Sequence, residues 1–154
     1  MALQDRTTHP LLSYTDGIAA AWKDVLLLAG RILLAWLFLA SGFGKLGNIA
    51  GTTGYFVNMG MSPAGFFAWF AAIFEFVVGI VLILGVATRY LAVAIFFWVL
   101  IATWIAHRYW TYPVAQQGAQ HIQFLKNISI MGGALYVFVA GAGRYALDAV
   151  LARR

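Results

Sequence analysis

The chain has 154 residues, of which 63% are hydrophobic, 16% aromatic and only 10% charged, and its mean hydropathy is +0.84. Ten basic and five acidic residues cannot furnish the polar shell of a soluble domain, so the composition excludes one and points to a membrane protein. The net charge of +5 is gathered at the ends of apolar runs and not in a surface stripe, which argues against nucleic acid, and the lack of cysteine excludes disulfide exchange and thiolate ligation of a metal or cluster by this chain.

Residues 1–24, MALQDRTTHPLLSYTDGIAAAWKD, are polar to mildly amphipathic, with Pro10 and Asp16-Gly17 as breakers. They read as a cytoplasmic lead-in carrying a short interfacial helix. The apolar run behind them is too long for a signal-peptide core and has no convincing cleavage site, so it is expected to remain in the mature protein. Residues 25–154 form the membrane domain, with apolar runs at 25–44, 66–87, 89–106 and 124–142. Each approaches the roughly 20 residues that a helix needs to cross a bilayer, and barrel strands would be about half as long and alternating. The expected fold is therefore an all-α, antiparallel bundle of four transmembrane helices.

The second connection is short, GVATRY, whereas the first, around LGNIAGTTGYFVNMGMSPAG, and the third, HRYWTYPVAQQGAQ, are long and rich in Gly, Pro and aromatic residues. Both long connections fall on one side of such a bundle. Arg6, Lys23, Arg89, Arg144, Arg153 and Arg154 flank the other side, and the positive-inside rule then puts both termini in the cytoplasm of a prokaryotic cell, with the long loops outside. Tyr109, Trp110 and Tyr112 suit an outer aromatic belt.

Topology charges apart, three charged residues and one amide stand inside the apolar runs: Arg31, Glu75, Lys126 and Asn127. A central charge costs about 2.5–3.5 kcal/mol on insertion scales, so such groups face the bundle interior and find partners. Counted at about 1.5 Å per residue, Glu75 lies near the midplane, Arg31 some 8 Å to the cytoplasmic side and Lys126 some 6 Å to the outer side. The simplest arrangement has Glu75 bracketed by these two cations. Read structurally, Arg31 and Glu75 would form an ion pair that fixes helix register while Lys126 reaches the headgroups. Read functionally, Lys45, His107, Arg108 and His121 would crown Glu75 from the outer leaflet with donors and positive charge. Three cations oppose a metal ion there and neither histidine has ligand spacing, so no metal is expected. A quinone head group, an enolate or a sulfur oxyanion suits Lys, His and Asn donors better. Gly42, Gly44, Gly79, Gly85, Gly132 and Gly133 mark places where helices could approach closely.

Arg31 early in the first span, SGFGKL at its close, Glu75 with GIVLILG in the second and QFLKNISIMGGALYV in the fourth together resemble the DoxX family, over about residues 26–140. That family takes its name from a small membrane subunit of a thiosulfate:quinone oxidoreductase. The resemblance implies quinone-related chemistry and carries over to Arg31, Lys45, Glu75, Lys126 and Asn127. The expectation is a quinone-interacting subunit of a membrane oxidoreductase, not catalytic alone, in which Lys126, Asn127 and His121 bind the head group and Glu75 takes or gives protons. Two other readings stand beside it: a non-catalytic anchor or assembly subunit whose buried charges are structural, and a small-solute transporter built as an oligomer. Expected partners are membrane lipid, an oxidoreductase and a second copy of the chain.

Overall fold

A computed structural model describes residues 10–153, and among these there is no strand. The helices in chain order are α1 (Pro10–Gly47), α2 (Ile49–Asn58), α3 (Ala64–Leu84), α4 (Thr88–Ala106), α5 (Val114–Ala140) and α6 (Leu147–Leu151), with one 3-10 turn, Tyr109–Thr111, between α4 and α5. Four of them, α1, α3, α4 and α5, are long and apolar enough to cross a membrane, as the sequence predicts. Arg6 and Arg154 lie outside the described residues.

Neither Pro10 nor Asp16-Gly17 interrupts α1, which runs unbroken for 38 residues, or about 57 Å. Pro10 stands at its first position, where a missing N–H costs nothing. α5 also begins earlier than the apolar run suggests, at Val114 instead of 124, because the glutamine-rich stretch before the run is itself helical. The first long connection holds α2, whose N-cap Asn48 accepts a hydrogen bond from the Gly51 N–H at 3.0 Å.

The bundle consists of two close antiparallel pairs, α1 with α3 and α4 with α5. A Cβ on Gly42 would strike the backbone of Phe76 and the Ala72 carbonyl, so α1 and α3 touch backbone to backbone there. Ala68, Ala71, Ala72 and Gly79 continue that small-residue seam along α3. Ala35, Phe38, Val78, Leu82, Ile95, Val99, Met131 and Ala134 fill the space where the two pairs meet. On the outside, large apolar side chains such as Leu33, Trp36, Phe97 and Tyr136 stay exposed, as lipid contact requires.

The Gly42 contact also fixes the heights of the two helices. α1 ends five residues beyond it, near the level of Ala71, while α3 continues for about two more turns to Ala64. α2 folds back over that uncovered half of α3. The shortness of α1 at this end is what leaves room for the cavities described next.

Candidate functional site

Glu75 sits eleven residues, about 16 Å, along α3 from Ala64, near the middle of the helix. Its carboxylate accepts from Lys45 Nζ at 2.5 Å and from the Trp98 indole N–H at 3.3 Å. Lys45 Nζ also donates to Ser41 Oγ one turn back on α1, at 2.5 Å. Three helices therefore meet at one carboxylate whose side chain is only 12% exposed. Buried polar groups need hydrogen-bond partners, and these groups satisfy one another.

Two cavities share this cluster as a wall. The larger, about 760 Å³, lies between α2, α3 and α4 and is lined mainly by aromatic and aliphatic side chains, among them Phe56, Phe67, Phe70, Phe74 and Ile101. Phe70 and Phe74 each pack against Trp98, with ring centroids 5.7 and 4.6 Å away. The smaller, about 410 Å³, lies between α1, α4 and α5 and is lined by Ser41, Lys126, Asn127 and Ile130. Lys45, Glu75, Trp98 and His107 border both. His107 is the C-cap of α4, and its Nδ1 lies 2.8 Å from the Gln120 amide oxygen, an acceptor; a neutral ring then carries its proton on Nδ1 and keeps Nε2 as an acceptor.

The arrangement differs from the sequence expectation in its charges. Arg31 does not bracket Glu75. It is 1% exposed and donates through Nη1 to the carbonyls of Leu82, at 3.4 Å, and Ile83, at 3.2 Å, and through Nη2 to the Tyr145 carbonyl. The last carbonyls of α3 lack helical partners and carry partial negative charge, which attracts the guanidinium away from the midplane. Glu75 takes its cation from Lys45 instead, because the end of α1 lies at its own height. Lys126 lines the smaller cavity but donates to Gln123 Oε1 one turn back, with no direct bond to Glu75.

Asn127 is buried and its Nδ2 donates to Thr103 Oγ1 at 2.8 Å, while that hydroxyl donates to the Val99 carbonyl at 2.6 Å. This chain ties α5 to α4. His121 is exposed and stacks on Tyr109, with ring centroids 4.5 Å apart, and Arg108 is exposed. Neither lines a cavity. Of the predicted residues, the fold thus gathers Lys45, Glu75, His107, Lys126 and Asn127, and it leaves Arg31, Arg108 and His121 elsewhere.

Sequence reasoning missed Trp98, Ser41 and Gln120. Trp98 carried a usable signal: a tryptophan in the middle of a span needs a partner for its N–H, unlike one in an interfacial belt. Asp148 was missed as well. Its two carboxylate oxygens accept from the backbone N–H groups of Ala87, at 2.6 Å, and Thr88, at 2.8 Å, capping α4 from across the molecule.

Comparison with known proteins matches the family model DoxX to residues 26–108. Inner membrane protein YphA of Escherichia coli is 36% identical over 137 residues, covering 89% of this chain and 96% of that protein. Inner membrane protein YqjF of the same organism is 31% identical over 132 residues, 86% and 96% of the two chains. ER-derived vesicles protein ERV29 of Saccharomyces cerevisiae is 25% identical over 146 residues, 95% of this chain but 40% of its own. No solved structure matches.

Proposed function

This chain belongs to the DoxX family of membrane proteins, and on that footing we propose that it is a prokaryotic inner-membrane protein that binds a quinone in the larger cavity, with the head group against Lys45, Glu75 and His107. The observation that carries this reading is a carboxylate, paired with a lysine, at the polar end of a cavity otherwise lined mainly by aromatic and aliphatic side chains. A volume of about 760 Å³ falls in the range of small-molecule sites, roughly 300–1,000 Å³, and such sites combine apolar walls with a few directed polar groups. The Lys45 ammonium and the Trp98 N–H supply donors for a quinone oxygen, and the Phe70, Phe74 and Trp98 rings supply faces for stacking. Phe66 and Ile101, both more than half exposed to the lipid zone, border the cavity where α3 and α4 diverge, so a tail could remain in the bilayer.

In this role Glu75 accepts or supplies the proton that accompanies electron transfer, and Lys45 balances its charge. A partner oxidoreductase exchanges the electrons, and Lys126 and Asn127 hold the adjoining polar cavity. The two inner-membrane relatives support the membrane assigned here, and the positive-inside rule supports a cytoplasmic location for the termini.

A second reading, a membrane anchor or assembly subunit, draws on Arg31 and Asn127, whose hydrogen bonds all go to other helices or chain segments. The two readings part on ligand binding. The chain reconstituted in lipid should bind a tail-bearing quinone, with saturable quenching of its tryptophan fluorescence as the readout. Glu75→Gln and Lys45→Met should each weaken binding tenfold or more, whereas Arg108→Gln should leave it unchanged. Equal affinity in all four proteins would reject the site and favour the anchor.

A further inference from the structure

The Glu75 carboxylate is reached by polar groups from one direction only. α5 carries Gln117, Gln120, Gln123 and Lys126 at intervals of three residues, a stripe that winds about 60° around the helix at each step so that successive members adjoin. Gln120 holds His107, Gln123 holds Lys126, and Lys126 lines the smaller cavity together with Lys45 and Glu75. The stripe starts at the end of the bundle that bears the 3-10 turn Tyr109–Thr111 and stops at Asn127. α1 cannot close this approach, because it ends two residues past Lys45.

In the other direction the interior is sealed. Val78, Leu82, Ile95, Ala35 and Ala134 are all at most 4% exposed and stand between Glu75 and the end where the termini lie. Beyond them Arg31 closes the α3–α4 turn. The cavity of about 410 Å³ sets two ammonium groups, a carboxylate, a hydroxyl, a primary amide and an imidazole among apolar side chains such as Leu37, Phe38 and Val99, and it is roomy and polar enough for several waters, whereas a dry cavity is apolar throughout.

We propose that the smaller cavity is the aqueous access of Glu75, so that this carboxylate exchanges protons with the water phase only on the side of the membrane that carries the 3-10 turn. The larger cavity serves the lipid-dissolved ligand on the opposite face of the same ion pair. A proton arriving from cavity water neutralises Glu75 and leaves the Lys45 ammonium charged; a proton departing restores the pair. Around the carboxylate the charged and titratable groups are Lys45 on α1, Tyr55 on α2, His107 at the end of α4 and Lys126 on α5. The inference does not depend on which ligand occupies the larger cavity.

The chain has no cysteine, so single cysteines report access without background. Ser41→Cys samples the smaller cavity and Ala102→Cys the wall that both cavities share, Ala134→Cys samples the seal, and Trp110→Cys marks the turn side. Sealed vesicles of both orientations are treated with a charged, membrane-impermeant methanethiosulfonate. Ser41→Cys and Ala102→Cys should react at least tenfold faster in the orientation in which Trp110→Cys reacts, and Ala134→Cys should stay unreactive in both. As a measurement on the unsubstituted chain, a water-soluble carbodiimide should modify Glu75 from the same side only. Equal reaction from both sides overturns the proposal. So does modification by lipid-soluble reagents alone, which would make the smaller cavity a lipid groove. Neither assay contains quinone, so a failure here is separate from a failure of quinone binding.

Discussion

Arg31, Glu75 and Asn127 have different employments, and the difference lies in which backbone or side chain stands at the height of each. Arg31 and Glu75 look alike in the sequence, as single charges within apolar runs. Glu75 meets another side-chain charge and borders two cavities, whereas Arg31 spends its guanidinium on three carbonyls. Arg31→Met should therefore destabilise the protein strongly, since a hydrogen bond to a charged group contributes about 1.5–3 kcal/mol. Arg31→Lys should recover only part of that loss, because an ammonium cannot reproduce the planar fork. Thermal unfolding in detergent checks the order, wild type above Lys above Met. Quinone affinity per folded molecule should be the same in all three, which is the outcome expected of a residue outside the site. Lys126 is exposed and only borders the smaller cavity, but that Arg31, Glu75 and Asn127 are buried or half-buried polar positions was legible in the sequence from their cost in lipid. Their pairing was not, because a lysine or arginine side chain reaches over more than one turn and depth counting leaves several partners within range.

At the scale of elements, the α3–α4 turn is held from both sides by segments remote in sequence. Gly85, with φ of 68°, ends α3 in the left-handed region, and a Cβ there would collide with the Arg31 guanidinium and with Ala146. Ala87, the N-cap of α4, has no side chain to cap the helix, and Asp148 of α6 serves instead. Burial pushes the Asp148 carboxyl up, but the Thr88 and Ala87 N–H groups and the Arg31 charge together outweigh it and hold the group below the usual aspartate range of about 3.8. A depressed carboxyl contributes stability above its unfolded value and loses it as pH falls through its folded value. The C-terminal segment should thus stay docked at neutral pH and loosen in acid below about pH 4. Asp148→Asn should lower stability at neutral pH by about 1 kcal/mol, as expected for a lost helix cap, and should flatten the acid limb of the unfolding curve. An acid limb identical to that of the wild type would contradict this role. The sequence shows Asp148 only as an acid near the C-terminus, and nothing in its spacing announces a bond to residues some sixty positions earlier.

For the whole molecule, the termini-proximal segments meet at one end of the bundle, where the Arg144 N–H donates to Asp24 at 2.9 Å and the Asp148 N–H donates to the Gly85 carbonyl at 2.9 Å. Removing residues 141–154 should leave four spans but take from Arg31 one of its three carbonyls, Tyr145, and from Asp24 and the start of α4 the partners named above. The truncated chain should insert, keep its topology in reporter fusions and unfold at a markedly lower temperature; an unchanged melting temperature would show the segment to be dispensable. The sequence by itself determined the class of this protein, its four spans and their alternation, because a bilayer admits few solutions and about 20 apolar residues per helix is a length constraint that composition reveals directly. It also marked Glu75 as a residue needing a partner. Only the tertiary structure decided that this partner is Lys45, that Trp98 and His107 share the site, and that polar groups approach it from one end. These outcomes depend on the height at which α1 stops beside α3, a relation set by the backbone contact at Gly42 and by side-chain packing between the helix pairs, and such relations between distant segments leave no periodic trace in the chain.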